Sequence, residues 1–438
     1  MNTSSTSPRR LALDSLVAIE EAGKYANLEI DAVLRRHPMS SADSALYTRL
    51  VYGVTEKRIT LDFVIDTYAR ETKAAGMDPY VRTALRLGIY QLAFCDRIPA
   101  HAAVSETVEL AARAKKGFVN AILRAFLRDG GVIRYPDPAA DPIYAASVRY
   151  SLPCGLLRLF ADSYGMETAE KIAAYTETAP TVSLRCNTMR LTEAELADRV
   201  GGKVTSLLGM VEVPAIDDAV RACLTDGDCF VEDPASRLCT CVVGARPGET
   251  IADTCACPGG KSFSMALDMA DDGTLCAFDL HENKLSLVTR TAAKLGLTCI
   301  RTEKRDAREP APALIGNADR VLCDAPCSGL GVLAKKPDIR YKSIAGIEHL
   351  PEVQRAVLDG ASRYVKPGGV LVYSTCTLRR AENEDVVADF LENHGNFALE
   401  PFTFGTYRAE DGMLTLFPHL HHADGFFIAR LRRDARMR

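Results

Sequence analysis

The stretch "ADTCACPGGKSFSMA", residues 252–266, decides how the second half of the chain is read. A short apolar run enters it, a proline and two glycines follow, and a periodic apolar segment leaves it. That order predicts a strand, a tight turn and a helix. The Gly-Gly-Lys-Ser ending looks like the tail of a phosphate-gripping loop, but such a loop needs Gly-x-x-x-x-Gly-Lys-Ser/Thr so that backbone N–H groups wrap the phosphates. Counting back from Gly260 and Lys261, the first glycine should stand at 255, where the chain has Cys255. Pro258 also removes a donor from the part that would cradle phosphate.

A dinucleotide fingerprint, Gly-x-Gly-x-x-Gly, is absent as well. The context is nevertheless of that kind, because Asp279 ends the next strand 20 residues after Gly259. That separation is expected of a carboxylate bonded to a ribose hydroxyl. An adenosine ligand without a pyrophosphate fits, and S-adenosylmethionine is one, its carboxylate near the helix N-terminus. A metal reading of Cys255-x-Cys257, with Cys239-x-Cys241, is disfavoured. Structural zinc sites space paired cysteines by two to four residues, and no companion pair is suitably placed. On extended chain such cysteines share one face and pack there.

Around this segment, strands and helices alternate from about residue 236 onward. The strands are "TIADTC", "TLCAFDL", "TCIRTE", "DRVLCDA" and "GVLVYSTC", with helices such as "HENKLSLVTRTAAKLG" between them. This is the pattern of βαβ units around a buried parallel sheet. The C-terminal "GMLTLFPHLHHADGFFIARLRR" reads as a hairpin that closes the sheet with an antiparallel edge. Residues 1–132 show helical periodicity throughout, as in "ADSALYTRLVYGVTEKRITLDFVIDTYA", and a turn-rich linker covers 130–142. A small α+β module, with "TVSLRCNT", "MVEVPA" and "DCFVED" as strands, spans 143–235.

Composition sets the outer bounds. The chain has 438 residues, 47% apolar and 25% charged, which suits a soluble protein of two or three domains. No apolar run of membrane-spanning length and no secretory leader pattern is visible, so a cytoplasmic protein is expected. Its 14 cysteines are then reduced thiols, mostly small buried hydrophobes. A net charge of −4 excludes a uniformly basic coat but not local patches. The basic runs are "RAKKGFVNAILRAFLR" (113–128), "LAKKPDIRYK" (333–342) and "RLRRDARMR" (430–438), each readable also as a solvated face or a frayed tail.

Two more cysteines stand just beyond strands. "RVLCDAPCSGLGVL" (320–333) opens into Asp324 and Cys327, and "GVLVYSTCTL" (369–378) ends at Cys376. Ligands of an open α/β sheet bind beyond the carboxyl ends of its strands. If the two strands are neighbours, both thiols reach one crevice, as catalytic groups or as unreactive structural thiols. A pyrimidine methylation explains why a thiol would be wanted. C5 is a poor nucleophile until a thiolate adds to C6 and makes the ring enamine-like. A carboxylate such as Asp324 can accept a bond from the cytosine 4-amino group, which uracil lacks.

Together "DTCACPGGKS", "DAPCSG" and "YSTCT" resemble the signature of RNA cytosine-5 methyltransferases of the Sun/Nop2 type. "SLRCNT" (183–188) and "DGFFIARL" (424–431) resemble further family elements. The helical N-terminus, with "IPAHAAVSETVELAARAKKGFVNAILR" (98–124), is similar to the RNA-binding NusB-like domain. Within the family that extension marks the RsmB/Sun/Fmu branch, which acts on small-subunit ribosomal RNA.

The resemblance implies a Rossmann-like methyltransferase domain after the all-α domain and the small module. It implies that Cys255, Ala256, Cys257, Pro258, Gly259, Gly260 and Lys261 line S-adenosylmethionine, with Asp279 on the ribose and Asp306 by the adenine. Asp324 would lie near the methyl donor and the base, Cys376 would be the nucleophile, and Cys327 would assist release. Lys304-Arg305 before Asp306 departs from the family, which often has Gly there, and Cys257 stands where Ala is usual. A monomer without metal, acting on ribosomal RNA, is expected. The alternatives are the same chemistry on transfer RNA and a non-catalytic ribosome-assembly factor.

Overall fold

The computed structural model describes residues 7–178 and 181–435. The last three residues of the basic run 430–438 therefore lie outside the described residues. The chain divides into two units, 1–177 with 335–342, and 178–334 with 343–438. Helices from the stretch expected to open the intermediate module thus join the first unit, and its strands join the second.

The first unit is helical, from Pro8–Ala22 to Met166–Tyr175. Its core gathers the periodic apolar positions read from sequence, among them Leu50, Leu61, Leu85, Leu123 and Phe126. Gly53 lets two helices approach closely, since a Cβ there would lie 2.0 Å from the Tyr90 ring. Arg86, 4% exposed, is held by Glu20 and Asp62, each at 2.7 Å, so its buried charge is fully paired. Residues 335–342 are also part of this unit. Arg340 donates to the Thr176 carbonyl at 3.1 Å, and the Arg58 guanidinium lies 3.7 Å from the Tyr341 ring centre. The 333–342 run is accordingly not simply a solvated basic face, although Lys335, Lys336 and Lys342 remain exposed.

The second unit begins with a four-stranded antiparallel sheet of β1 (Val182–Cys186), β2 (Lys203–Val204), β3 (Met210–Val213) and β4 (Cys229–Val231), in the order β2-β3-β1-β4. The main sheet follows. It contains β5 (Thr250–Asp253), β6 (Thr274–Asp279), β7 (Ile300–Lys304), β8 (Ala318–Asp324), β9 (Val365–Thr375) and β10 (Phe397–Leu399). After a small hairpin of β11 (Phe402–Phe404) and β12 (Tyr407–Ala409), the chain returns as β13 (Met413–Leu416) and β14 (Phe426–Arg433). The order is β10-β14-β9-β8-β5-β6-β7, with β13 also on β14. Strands β5 to β9 pair in parallel, and β14 is antiparallel to β9. The C-terminal hairpin forms as expected, though β14 is flanked by β10 and β13 rather than forming the edge itself.

Successive residues of the central strands face opposite layers, as the period of two requires. Ile251, Val370 and Val372 pack with Val242, Phe263 and Val288 on one face. Ala252, Leu371 and Tyr373 pack with Leu358, Val386 and Phe390 on the other. Between β5 and β8 the strand order reverses direction, which opens a crevice at their carboxyl ends.

Candidate active site

The loop after β5 is tied to its neighbours on both sides. Thr254 donates its N–H to the Leu322 carbonyl of β8 at 3.0 Å, and Ala256 donates to Phe278 of β6 at 2.8 Å. Gly259 has φ +113°, and a Cβ there would lie 2.5 Å from the Phe263 ring, so the turn into the helix Gly260–Asp268 requires glycine. Burial pushes the Cys255 thiol well up, and burial followed by Asp279 pushes Cys257 to about 12. Both are neutral thiols, so neither has the anionic character of a nucleophile. Cys239 and Cys241 lie on the helix Pro234–Val243, not on extended chain, and therefore point apart. Among the described residues no group of three metal-ligating side chains exists.

A cavity of 530 Å³ opens at the strand ends, a volume typical of small-molecule sites. Its wall brings together Cys255, Cys257, Asp279, Asp306, Asp324, Cys327 and Cys376. These predicted residues from scattered motifs meet in one wall, whereas Ala256, Pro258, Gly260 and Lys261 line an adjoining cavity. Asp279 and the exposed Leu280 beside it offer a carboxylate for a ribose and an apolar surface for a base. That donor set fits the adenosine part of S-adenosylmethionine. Asp306 lies in the same wall, but Arg308 grips its carboxylate at 2.6 Å and holds its pKa down.

Cys327 and Cys376 face each other with their Sγ atoms 3.4 Å apart. They meet because β8 and β9 are paired neighbours, with Asp324 opposite Ser374. The two thiols are not equivalent. The hydrogen bond from Cys327 lowers the Cys376 pKa, burial and Asp324 oppose this, and Lys261 assists it. The same contact, then burial and Glu382, raise Cys327 well above the ordinary thiol range. Cys376 is therefore the more acidic thiol of the pair, and Cys327 the one that holds its proton more tightly.

Lys261 donates to Asp324 at 2.7 Å and lies 5.1 Å from the Phe426 ring centre. Burial works against its charge, but Asp324 outweighs it and keeps the ammonium protonated. Ser374 holds the other Asp324 oxygen at 2.8 Å. Each carboxylate oxygen keeps acceptor capacity beyond these bonds, so a third donor can still be received.

Several supporting residues escaped the sequence reading. Glu382, fully buried, accepts from the Ser328 N–H at 2.8 Å and from Gln354 at 3.0 Å, while its carbonyl takes the Tyr373 hydroxyl. Asn383 donates to the Thr377 carbonyl at 3.0 Å. This pair clamps both thiol-bearing loops. Its only signal was the polar "ENED" (382–385), which leads into the helix Glu384–Asn393 a short loop after β9. Gly331 and Gly425 close the arrangement, because a Cβ on Gly331 would meet the Gly425 carbonyl at 1.8 Å. The Gly331 N–H donates to the Cys376 carbonyl at 2.9 Å.

A family model described as 16S rRNA methyltransferase RsmB/F matches residues 240–432, and one described as the NusB family matches residues 6–128. Over 98% of this chain and 99% of its own length, the probable ribosomal RNA small subunit methyltransferase B of Bacillus subtilis (strain 168) is 35% identical. The chain belongs to the 16S rRNA methyltransferase RsmB/F family. The ribosomal RNA small subunit methyltransferase B of Vibrio cholerae serotype O1 is similar at 32% identity, over 97% of each chain. The crystal structure of PH0851 shares the fold with a TM-score of 0.77, at 24% identity over 99% of this chain and 100% of that one. As an RsmB/F member, the protein is an S-adenosylmethionine-dependent methyltransferase with an N-terminal NusB domain. Among its described residues no helix is long and apolar enough to cross a membrane.

Proposed function

We propose that the protein methylates C5 of a cytosine in small-subunit ribosomal RNA, with Cys376 bonding covalently to C6 during turnover. The observation that carries this reading is the unequal thiol pair, 3.4 Å apart in the wall of the cofactor cleft. When bound, S-adenosylmethionine supplies an electrophilic methyl group. The Cys376 thiolate adds to C6 and gives C5 the electron density to attack it. Asp324 receives a bond from the cytosine 4-amino group and selects against uracil. Removal of the C5 proton then expels the Cys376 thiolate and restores the ring, with Cys327 placed to assist.

The base must leave its stack to reach the thiols, so the target lies in a loop or a locally opened helix. Arg113, Lys115, Arg124 and Arg128 are exposed on the helical unit and suit phosphate contacts. Arg430 and Arg432 of the C-terminal run do not, since Glu400 binds each at 2.6 Å. Bisulfite sequencing of ribosomal and transfer RNA, with and without the active protein, tests the assignment. One protein-dependent cytosine in small-subunit RNA is expected, and modification confined to transfer RNA would refute it.

The electrostatics predict a pH profile. Single-turnover transfer at saturating cofactor should fall as pH drops through the lowered Cys376 pKa, because only the thiolate adds. Lys261→Met removes a charge that favours that thiolate, so the acid limb should move up by roughly one unit. A limb that stays in place would remove Lys261 from this role.

A further inference from the structure

A second cavity adjoins the first and shares Cys255, Cys257 and Asp324 with its wall. It measures 180 Å³ and lies between the segment Val231–Asp233 on one side and the cofactor loop, including Gly260 and Lys261, on the other. Two kinds of group meet here. The helix Gly260–Asp268 starts at this cavity without a side-chain cap, so its first N–H groups and the Lys261 ammonium favour an anion. Glu232 lines the same cavity and favours a cation. It is 5% exposed, its Oε2 accepts from Ser264, and its Oε1 is buried without a hydrogen-bond partner.

Asp253, 1% exposed, repeats this pattern at the end of β5. Its Oδ2 accepts from Ser262 at 2.6 Å, its Oδ1 has no bond of ordinary geometry, and burial raises its pKa to about 7, with the nearby Cys255 N–H only partly opposing this. A buried carboxylate oxygen left unpaired costs free energy that a ligand's donor can recover. An anion-seeking helix end facing a cation-seeking carboxylate, across a small cavity, is complementary to an α-amino acid zwitterion.

We infer that this cavity holds the amino-acid end of S-adenosylmethionine, with Glu232 as the receptor for its α-ammonium and the helix N-terminus as the receptor for its carboxylate. The assignment rests on the cofactor lying along residues 255–261. It gives Glu232 a binding role that none of the three sequence motifs marks. Burial raises the Glu232 pKa to about 7, and the Ser264 bond with the Arg237, Arg185 and Lys261 charges works against that rise, as a ligand's ammonium would.

Calorimetric binding to the full chain tests this with two probes. S-adenosylhomocysteine carries the amino-acid end, and 5′-methylthioadenosine lacks it. Glu232→Gln keeps the shape and removes the charge. It should weaken S-adenosylhomocysteine by about tenfold or more, the loss of a charge-assisted bond, and leave 5′-methylthioadenosine within about twofold. Unchanged S-adenosylhomocysteine affinity would overturn the inference. So would equal weakening of both probes, which would give Glu232 a merely structural role. An increased KM for RNA with normal S-adenosylhomocysteine binding would also overturn it, by assigning the cavity to the target base. If neither probe bound the unaltered protein, the placement of the cofactor itself would fail.

Discussion

Cys376→Ser is expected to abolish methyl transfer while S-adenosylhomocysteine binding survives. The hydroxyl keeps the position, but its proton is held far too tightly to give an anion near neutral pH. The hydrogen bond from Cys327 and the Lys261 charge that favour a thiolate cannot bridge that gap. A loss of at least about 10³-fold is anticipated from removing a nucleophile. The Cys376 side chain is not among the groups that hold the cofactor loop, so calorimetry should record affinity within a few-fold of the unaltered protein. Substantial remaining transfer to ribosomal RNA would sink the nucleophile assignment.

The second large effect should appear at the partner thiol. Cys327→Ser, with Cys376 intact, is expected to let a covalent RNA–protein adduct accumulate, visible as a denaturant-resistant shifted band. The hydrogen bond to Cys376 is the foremost cause of the raised Cys327 pKa, and the Cys376 charge adds to it. Once Cys376 is bonded to C6 it bears no charge, and that cause disappears. Cys327 then ionises more readily, at the stage when a base is wanted for the C5 proton. Serine lacks that capacity, so the adduct should form and fail to resolve. An absent adduct in this variant would count against the release role, whereas the double variant with Cys376→Ser should show none at all.

The strand, turn and helix around Gly259 were legible because each carries a local signal, an apolar run, a glycine pair and a 3.6-residue period. The meeting of Cys327 with Cys376 was legible through a general rule about strand ends. Other features depend on long-range packing. The helices in 142–175 have the same periodicity whichever core they join. Nothing local distinguishes Arg340, which is buried, from Lys336, which is exposed. Glu232 sits in "CFVEDP" as an ordinary acidic residue, and only the fold reveals that one of its oxygens is buried and unpaired. Arg185 of "SLRCNT" is likewise decided by Asp268, 83 positions away, which it meets at 3.0 Å.

The membership of residues 335–342 in the helical unit has a consequence for how this protein can be divided. The polypeptide enters the first unit, passes to the second, returns for eight residues shortly after Cys327, and leaves again. A cut at the 177/178 junction therefore releases two incomplete pieces. The C-terminal piece would display Ile339, Arg340 and the Tyr341 ring stripped of their surroundings. The N-terminal piece would lose Arg340, the donor to the Thr176 carbonyl, and the ring beneath Arg58. A division that leaves each unit whole has to carry residues 335–342 along with 1–177, which no single cut in the chain achieves.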